Sequence, residues 1–175
     1  MTATLDFPGK AAPAARATRA LAGKYLTFTL QGGSYGIDVL KVREIIRHSN
    51  ITTVPQMPPH IRGVINLRGK VIPVMDLRRR FEFAGAADTE QTCIVVVQVR
   101  LAEGGATPMG LVVDGVEEVI NLNDADIEAT PEFGGRISTD YILGMAKVKD
   151  QVKTLLEIDG VAGADTLKQL NIPAA

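Results

Sequence analysis

The sequence predicts a mainly β protein made of two pseudo-equivalent small barrels that share an apolar core, with a short C-terminal helix. Three observations carry this reading. Apolar residues come in short runs punctuated by Gly, Pro, Asn and Asp, the pattern of strands joined by tight turns. Tyr35–Ile46 lies without a gap on Met109–Ile120, and Gly36, Val39, Val42, Glu44 and Ile46 meet identical residues there. His60–Leu77 lies likewise on Tyr141–Ile158: Ile61, Gly63 and Val71 meet Ile142, Gly144 and Val152, Arg68 meets Lys149, and Asp76 meets Glu157. The second copy has a longer connection between its two blocks. One copy alone buries little, so the two need a common seam. Closing each into a barrel also removes exposed strand edges.

Each element follows from local chemistry. Residues 1–23 hold many alanines, two prolines and no apolar period, and read as a disordered arm. Tyr25–Leu30 alternates strictly and is a half-buried strand, closed by the turn Gln31-Gly32-Gly33-Ser34. Tyr35–Ile46 reads as two short strands, and Pro55, Pro58 and Pro59 mark an irregular connection. Gly63–Leu67 and Lys70–Met75 flank Arg68-Gly69 as a hairpin, with Pro73 demoting its second strand to an edge or a bulge. The repeated domain spans 24–160, divided at about 24–90 and 91–160. In the tail, 161–175, Ala164–Leu170 reads as a short helix capped by Asp165.

Composition removes several function classes. The net charge of −1 and pI of about 6.1 argue against a general nucleic-acid binder. No apolar run approaches a membrane span, and the N-terminus lacks a signal-peptide pattern, so a cytoplasmic protein is expected. The lone Cys93 sits in an apolar run and reads as a buried, inert thiol. His48 and His60 have no metal-ligand spacing and read as solvated loop residues, so no metal or cofactor is expected. Neither Ser34 nor Ser138 lies in a nucleophile elbow, and Gly32–Gly36 lacks the phosphate-loop spacing. Asn123–Asp126 reads as a capped turn, and Arg78-Arg79-Arg80 as a solvated terminus. No enzyme emerges. Small barrels also bind oligonucleotides or small molecules, but with no Trp and few Tyr and Phe there is little to stack bases on.

At this point the residues carry a resemblance. Tyr35–Ile45, Ile61–Gly69 with its Asn-Leu-Arg-Gly turn, Ile72–Leu77, Gly110–Val116, Pro131-Glu132-Phe133 and Leu143-Gly144 resemble the CheW family in the family's order. The resemblance covers about residues 24–160. It implies two five-stranded SH3-like barrels and a non-enzymatic adaptor that couples methyl-accepting chemotaxis receptors to the histidine kinase CheA. The protein would be cytoplasmic, recruited to membrane-associated receptor arrays, and able to associate with itself in rings. CheV appends a further receiver domain, so the stand-alone coupling protein is the expected type.

The resemblance also implies sites. Val42, Glu44, Ile45 and Arg68 match the receptor-facing positions. Ile51, Val54, Gly63 and Phe133 match positions of kinase contact, the last on a second face. Alternatives stay open beside these. Glu118 and Lys149 stand where Glu44 and Arg68 stand, so the pair could be inherited scaffold. Gly144 shows that Gly63 could serve the barrel itself, and Phe133 could plug the seam.

Overall fold

Alternation of apolar and polar residues sets the strands, and glycine or a polar pair sets the turns. The computed structural model describes residues 21–47, 50–83, 87–101, 104–129 and 141–163. The N-terminal arm up to residue 20, His48, Ser138 and the helix expected over 164–170 lie outside these residues. In chain order the strands are β1 (Gly23–Leu30), β2 (Gly33–Asp38), β3 (Val42–Arg47), β4 (Ile61–Leu67), β5 (Lys70–Asp76) and β6 (Cys93–Arg100). They continue as β7 (Ala106–Val113), β8 (Gly115–Leu122), β9 (Ile127–Glu128), β10 (Ile142–Val148) and β11 (Gln151–Leu156). Two short helices, α1 (Leu77–Arg80) and α2 (Ile158–Ala162), follow β5 and β11.

The strands form a six-stranded sheet, β9-β10-β11-β2-β1-β8, and a five-stranded sheet, β3-β6-β7-β5-β4. The chain starts in the first sheet, crosses to the second at residues Val39–Lys41, and returns at Asp114. The division near residue 90 therefore separates the two copies of the repeat but not the two sheets. Each sheet takes strands from both halves of the chain.

Register reproduces the repeat residue by residue. Val74 pairs with Gly110 in the parallel β5–β7 ladder, and Leu155 pairs with Gly36 in the parallel β11–β2 ladder. Glu44 lies opposite Val96, and Glu118 opposite Thr27, each just past a bulge. The β5 strand is not an edge, contrary to the expectation from Pro73. It lies between β7 and β4, with the bulge on β4, and Pro73 is tolerated because the ladder to β7 starts one residue later, at Val74.

Side chains leave the two faces of each strand toward two different cores. On β6, Ile94 and Val96 enter a cluster with Ile65, Ile72, Val74 and Val112, around which the five-stranded sheet curls. Val95, Val97 and Val99 on the other face join Leu26, Phe28 and Leu30 of β1 in the large seam between the sheets. Tyr25, Leu122, Ala146 and Leu155 form the interior of the six-stranded unit. The shared seam expected from the sequence is thus the largest of the three clusters, and both small helices pack on it through Leu77, Ile158 and Val161.

Glycine is required where a second segment crosses a strand. Gly63 has φ +148°, and a Cβ there would lie 2.0 Å from the Thr52 carbonyl oxygen, which accepts from Val64 N at 2.9 Å. The counterpart, Gly144, faces the Glu128 oxygen at 2.9 Å. Gly63→Ala should cost about 3 kcal/mol and Gly144→Ala about 1 kcal/mol, because the latter needs a far smaller shift. Urea unfolding of the two variants measures the difference.

Candidate functional site

The β4–β5 connection is a two-residue turn in which Arg68 and Gly69 both take positive φ, +53° and +85°. This conformation matches the twist of the hairpin, and Asn66 Oδ1 accepts from Gly69 N at 2.9 Å to hold it. The turn delivers the exposed Arg68 guanidinium to the Glu44 carboxylate on β3, where the two make a charge-assisted, two-pronged contact. Glu44 shares the face of β3 that points into the five-stranded unit, since it lies opposite Val96. Below the ion pair an open groove of about 480 Å³ has Leu67, Ile72, Val96 and Pro108 as its apolar walls. Arg43, Lys70 and Gln98 complete its polar rim. A surface ion pair of this kind contributes only about 0–1 kcal/mol to stability.

Of the residues expected to face a receptor, the structure brings Glu44 and Arg68 together. Val42 and Ile45 leave the opposite face of β3, beside Val97 and Val95 of the seam. Val42 packs on that core, while Ile45 is 44% exposed at its edge. The four residues thus present two adjoining surfaces rather than one.

The duplicate position has different contacts. In the second copy Glu118 and Lys149 do not pair with one another, although Lys149 and Asp150 repeat the positive-φ turn. Nor is the groove open there. Lys153 stands where Ile72 stands, is buried, and donates to Ser34 Oγ at 2.8 Å and Glu117 Oε1 at 3.3 Å. Ser34 and Glu117 occupy the places of Pro108 and Arg43. A polar plug therefore fills one barrel mouth and leaves the other free.

Of the residues expected at the kinase, the structure brings Ile51 and Gly63 together. Ile51 is half-buried against the interior of the five-stranded unit, and its Cγ2 lies 3.0 Å from the Cβ position of Gly63. Thr52 bridges to Val64, and a shallow cleft of about 300 Å³ opens between Ile51, Thr53, Ile61, Arg62 and Arg79. Val54 follows, half-buried. Gly63 itself is buried, and its demand for glycine comes from the Thr52 crossing. Phe133 lies outside the described residues.

Sequence reasoning missed one cluster entirely. Arg78 is not part of a solvated terminus: it is 1% exposed. Its Nε and Nη2 donate to the two oxygens of Asp76 at 2.9 Å each, Nη2 also to Asp88 at 2.8 Å, and Nη1 to Asp114 at 3.0 Å. Asp114 in turn accepts from Gln31 N at 2.7 Å, so the network joins the crossing segment to the β1–β2 turn of the other sheet. The bond to Asp76 chiefly, with Asp88 and Asp114, holds the guanidinium pKa above its ordinary range despite the opposing effect of burial. Asp76 is only two residues away, but the burial of Arg78 also depends on Asp88 and on Asp114, 36 residues on, which no local pattern signals. Two smaller expectations also change. Cys93 is half-buried, with Sγ 3.2 Å from the Gln91 carbonyl oxygen. His60 is half-buried rather than solvated, and burial together with the Arg80 charge lowers its pKa.

Arg78→Met should destabilise by about 3–5 kcal/mol, because it strands the Asp76 carboxylate in the interior. Asp76→Asn/Arg78→Met should lose less than the two single changes together, as a double-mutant cycle by urea unfolding would show.

Comparison with known proteins agrees with this geometry. The family described as CheW-like domain matches residues 24–165. The chain is 34% identical over 144 residues to the chemotaxis protein CheW of Klebsiella aerogenes, covering 82% of this chain and 84% of that one. It is 36% identical over 142 residues to the chemotaxis protein CheW of Bacillus subtilis, covering 81% and 86%. Among solved structures, the scaffolding protein TtCheW from Thermoanaerobacter tengcongensis is similar at a TM-score of 0.73 and 32% identity, covering 83% of this chain and 96% of that one.

Proposed function

The chain belongs to the CheW-like family, and from that premise we propose that it is a non-enzymatic chemotaxis adaptor that couples the cytoplasmic tips of methyl-accepting receptors to the histidine kinase CheA. The observation that carries the receptor half is the contrast between the two copies: an ion pair over an open groove in one, a buried lysine plug in the other. Receptor tips are helical hairpins, and such a helix suits an apolar groove with a charged rim. Glu44 and Arg68 set its register, while Val42 and Ile45 supply apolar contact on the adjoining seam edge.

The kinase half rests on the Ile51–Val54 segment and its cleft, with Phe133 as a second face. CheA's regulatory domain, a module of the same kind, docks there, and alternating contacts extend into rings. Gly63 serves this surface by letting Thr52 lie close over β4. Signal passes as a shift in populations, since a receptor state that favours one position of the adaptor changes the kinase through the shared interface. Repetition over an array makes weak contacts cooperative. Among the described residues no helix is long and apolar enough to cross a membrane, and receptor binding accounts for recruitment to one.

Reconstituted membranes holding receptor and CheA test the first half. Arg68→Glu should remove receptor-dependent kinase stimulation at least tenfold while changing unfolding stability by less than about 1 kcal/mol. Glu44→Arg/Arg68→Glu should restore part of the stimulation. Full stimulation by Arg68→Glu alone would place the receptor elsewhere. For the second half, calorimetric titration into the regulatory domain of CheA should give one-to-one binding. Val54→Glu should weaken it at least tenfold, whereas Arg68→Glu should leave it unchanged.

A further inference from the structure

The internal duplication exposes a second site. Asp76 and Glu157 are counterparts: each stands at the N-cap position of a short helix after a strand and donates its backbone N–H, to the His60 oxygen at 2.8 Å and the Tyr141 oxygen at 2.7 Å. In the first copy the Asp76 carboxylate receives the fork of the Arg78 guanidinium, with Arg62 also 3.8 Å away. The second copy keeps the acid but has lost both cations, because Leu143 stands in place of Arg62 and Asp159 in place of Arg78. There Glu157 makes no cap hydrogen bond. A cavity of about 340 Å³, lined by the acids Glu157, Asp159 and Asp38, the cations Lys41 and Arg100, and apolar residues including Leu143 and Leu156, opens on the corresponding side of the second unit.

The other carboxylates in this cavity are already engaged. Asp159 accepts from Lys41 Nζ at 3.2 Å and from Arg100 N at 2.8 Å, and Asp38 accepts from Leu40 N at 2.9 Å. Glu157 is half-buried and, among the described residues, has no ion-pair partner and makes no side-chain cap hydrogen bond. Arg100 lines the same cavity but its side chain is exposed and makes no ion pair. The arrangement keeps the counterpart of Asp76 without its guanidinium, has Leu40 where Asp114 stands, and leaves a cavity beside the acid.

The geometry points to a recognition pocket for an arginine side chain supplied by a partner protein, with Glu157 receiving the guanidinium and Leu143 and Leu156 flanking its stem. A planar fork can engage Glu157 in the two-pronged manner that Arg78 uses on Asp76, which a lysine ammonium cannot copy. The pocket is separate from the Glu44–Arg68 groove and does not depend on the assignments of receptor and kinase. It adds an anchor of defined chemistry at the junction of the two units.

The test is a titration of the isotope-labelled full chain with Nα-acetyl-arginine amide, followed by amide NMR, with the lysine and citrulline analogues as controls. Saturable shifts should appear around Glu157, Asp159 and Arg100, at least fivefold weaker in affinity for lysine and absent for citrulline. Glu157→Gln should weaken arginine binding at least tenfold, with the spectrum elsewhere unchanged. Shifts equal for citrulline, or insensitive to Glu157→Gln, would overturn the proposal. Binding seen only in Arg100→Ala would overturn it as well, since the chain's own guanidinium would then be the occupant. No receptor or kinase is present, so failure here leaves the coupling role untouched.

Discussion

The apolar seam between the two sheets is the constraint on which the rest of the molecule depends. Neither unit has an interior large enough to stand alone: one rests on Ile65, Ile72, Val74, Ile94, Val96 and Val112, the other on Tyr25, Leu122, Ala146 and Leu155. The seam supplies what both lack, through strands whose two faces serve two cores at once. On β6, Val95, Val97 and Val99 face the seam while Ile94 and Val96 face the barrel, so the strand reads as a nearly continuous apolar run. Exchange of strands between the halves reinforces this dependence. To separate the halves of the chain near residue 90 would strip β1 and β2 from the six-stranded sheet.

The Arg78 network lies at the edge of this seam and has a different role. Burying a charged group costs more than an apolar contact would, and the cost is offset only by filling nearly every donor. Arg78 meets that condition with Asp76, Asp88 and Asp114, and Asp114 reaches the β1–β2 turn. The network thus sets the orientation of the two units through directional bonds, while the seam supplies the bulk of the attraction. The coupling role proposed above needs such a fixed relation between the two units.

Duplication followed by divergence explains the distribution of surfaces. The backbone repeats down to matched bulges and matched parallel pairs. Side chains then differ at a few places with large effect. Ile72 against Lys153 decides which barrel mouth stays open, and Arg78 against Asp159 decides which junction is filled. Four of the five exposed large apolar residues among those described come in pairs, Ile45 with Val119 and Val71 with Val152, whereas Leu40 falls on Asp114.

The sequence by itself determined the strands, the hairpin turn at Arg68-Gly69, the duplication and the need for a shared core. These are local or periodic properties: alternation, positive-φ turn residues and gapless self-similarity are written along the chain. It also named Glu44 and Arg68, although their identical-looking counterparts Glu118 and Lys149 left their role open. Only the tertiary structure tells the two copies apart, because the polar cluster in the second joins Ser34, Glu117 and Lys153 from three distant segments. It also moved Arg78 from the surface to the interior, since Asp88 and Asp114 converge on it beside its near neighbour Asp76. The exchange of strands across residue 90 was hidden for the same reason: strand pairing is non-local, and a repeat in sequence does not state which copy completes which sheet.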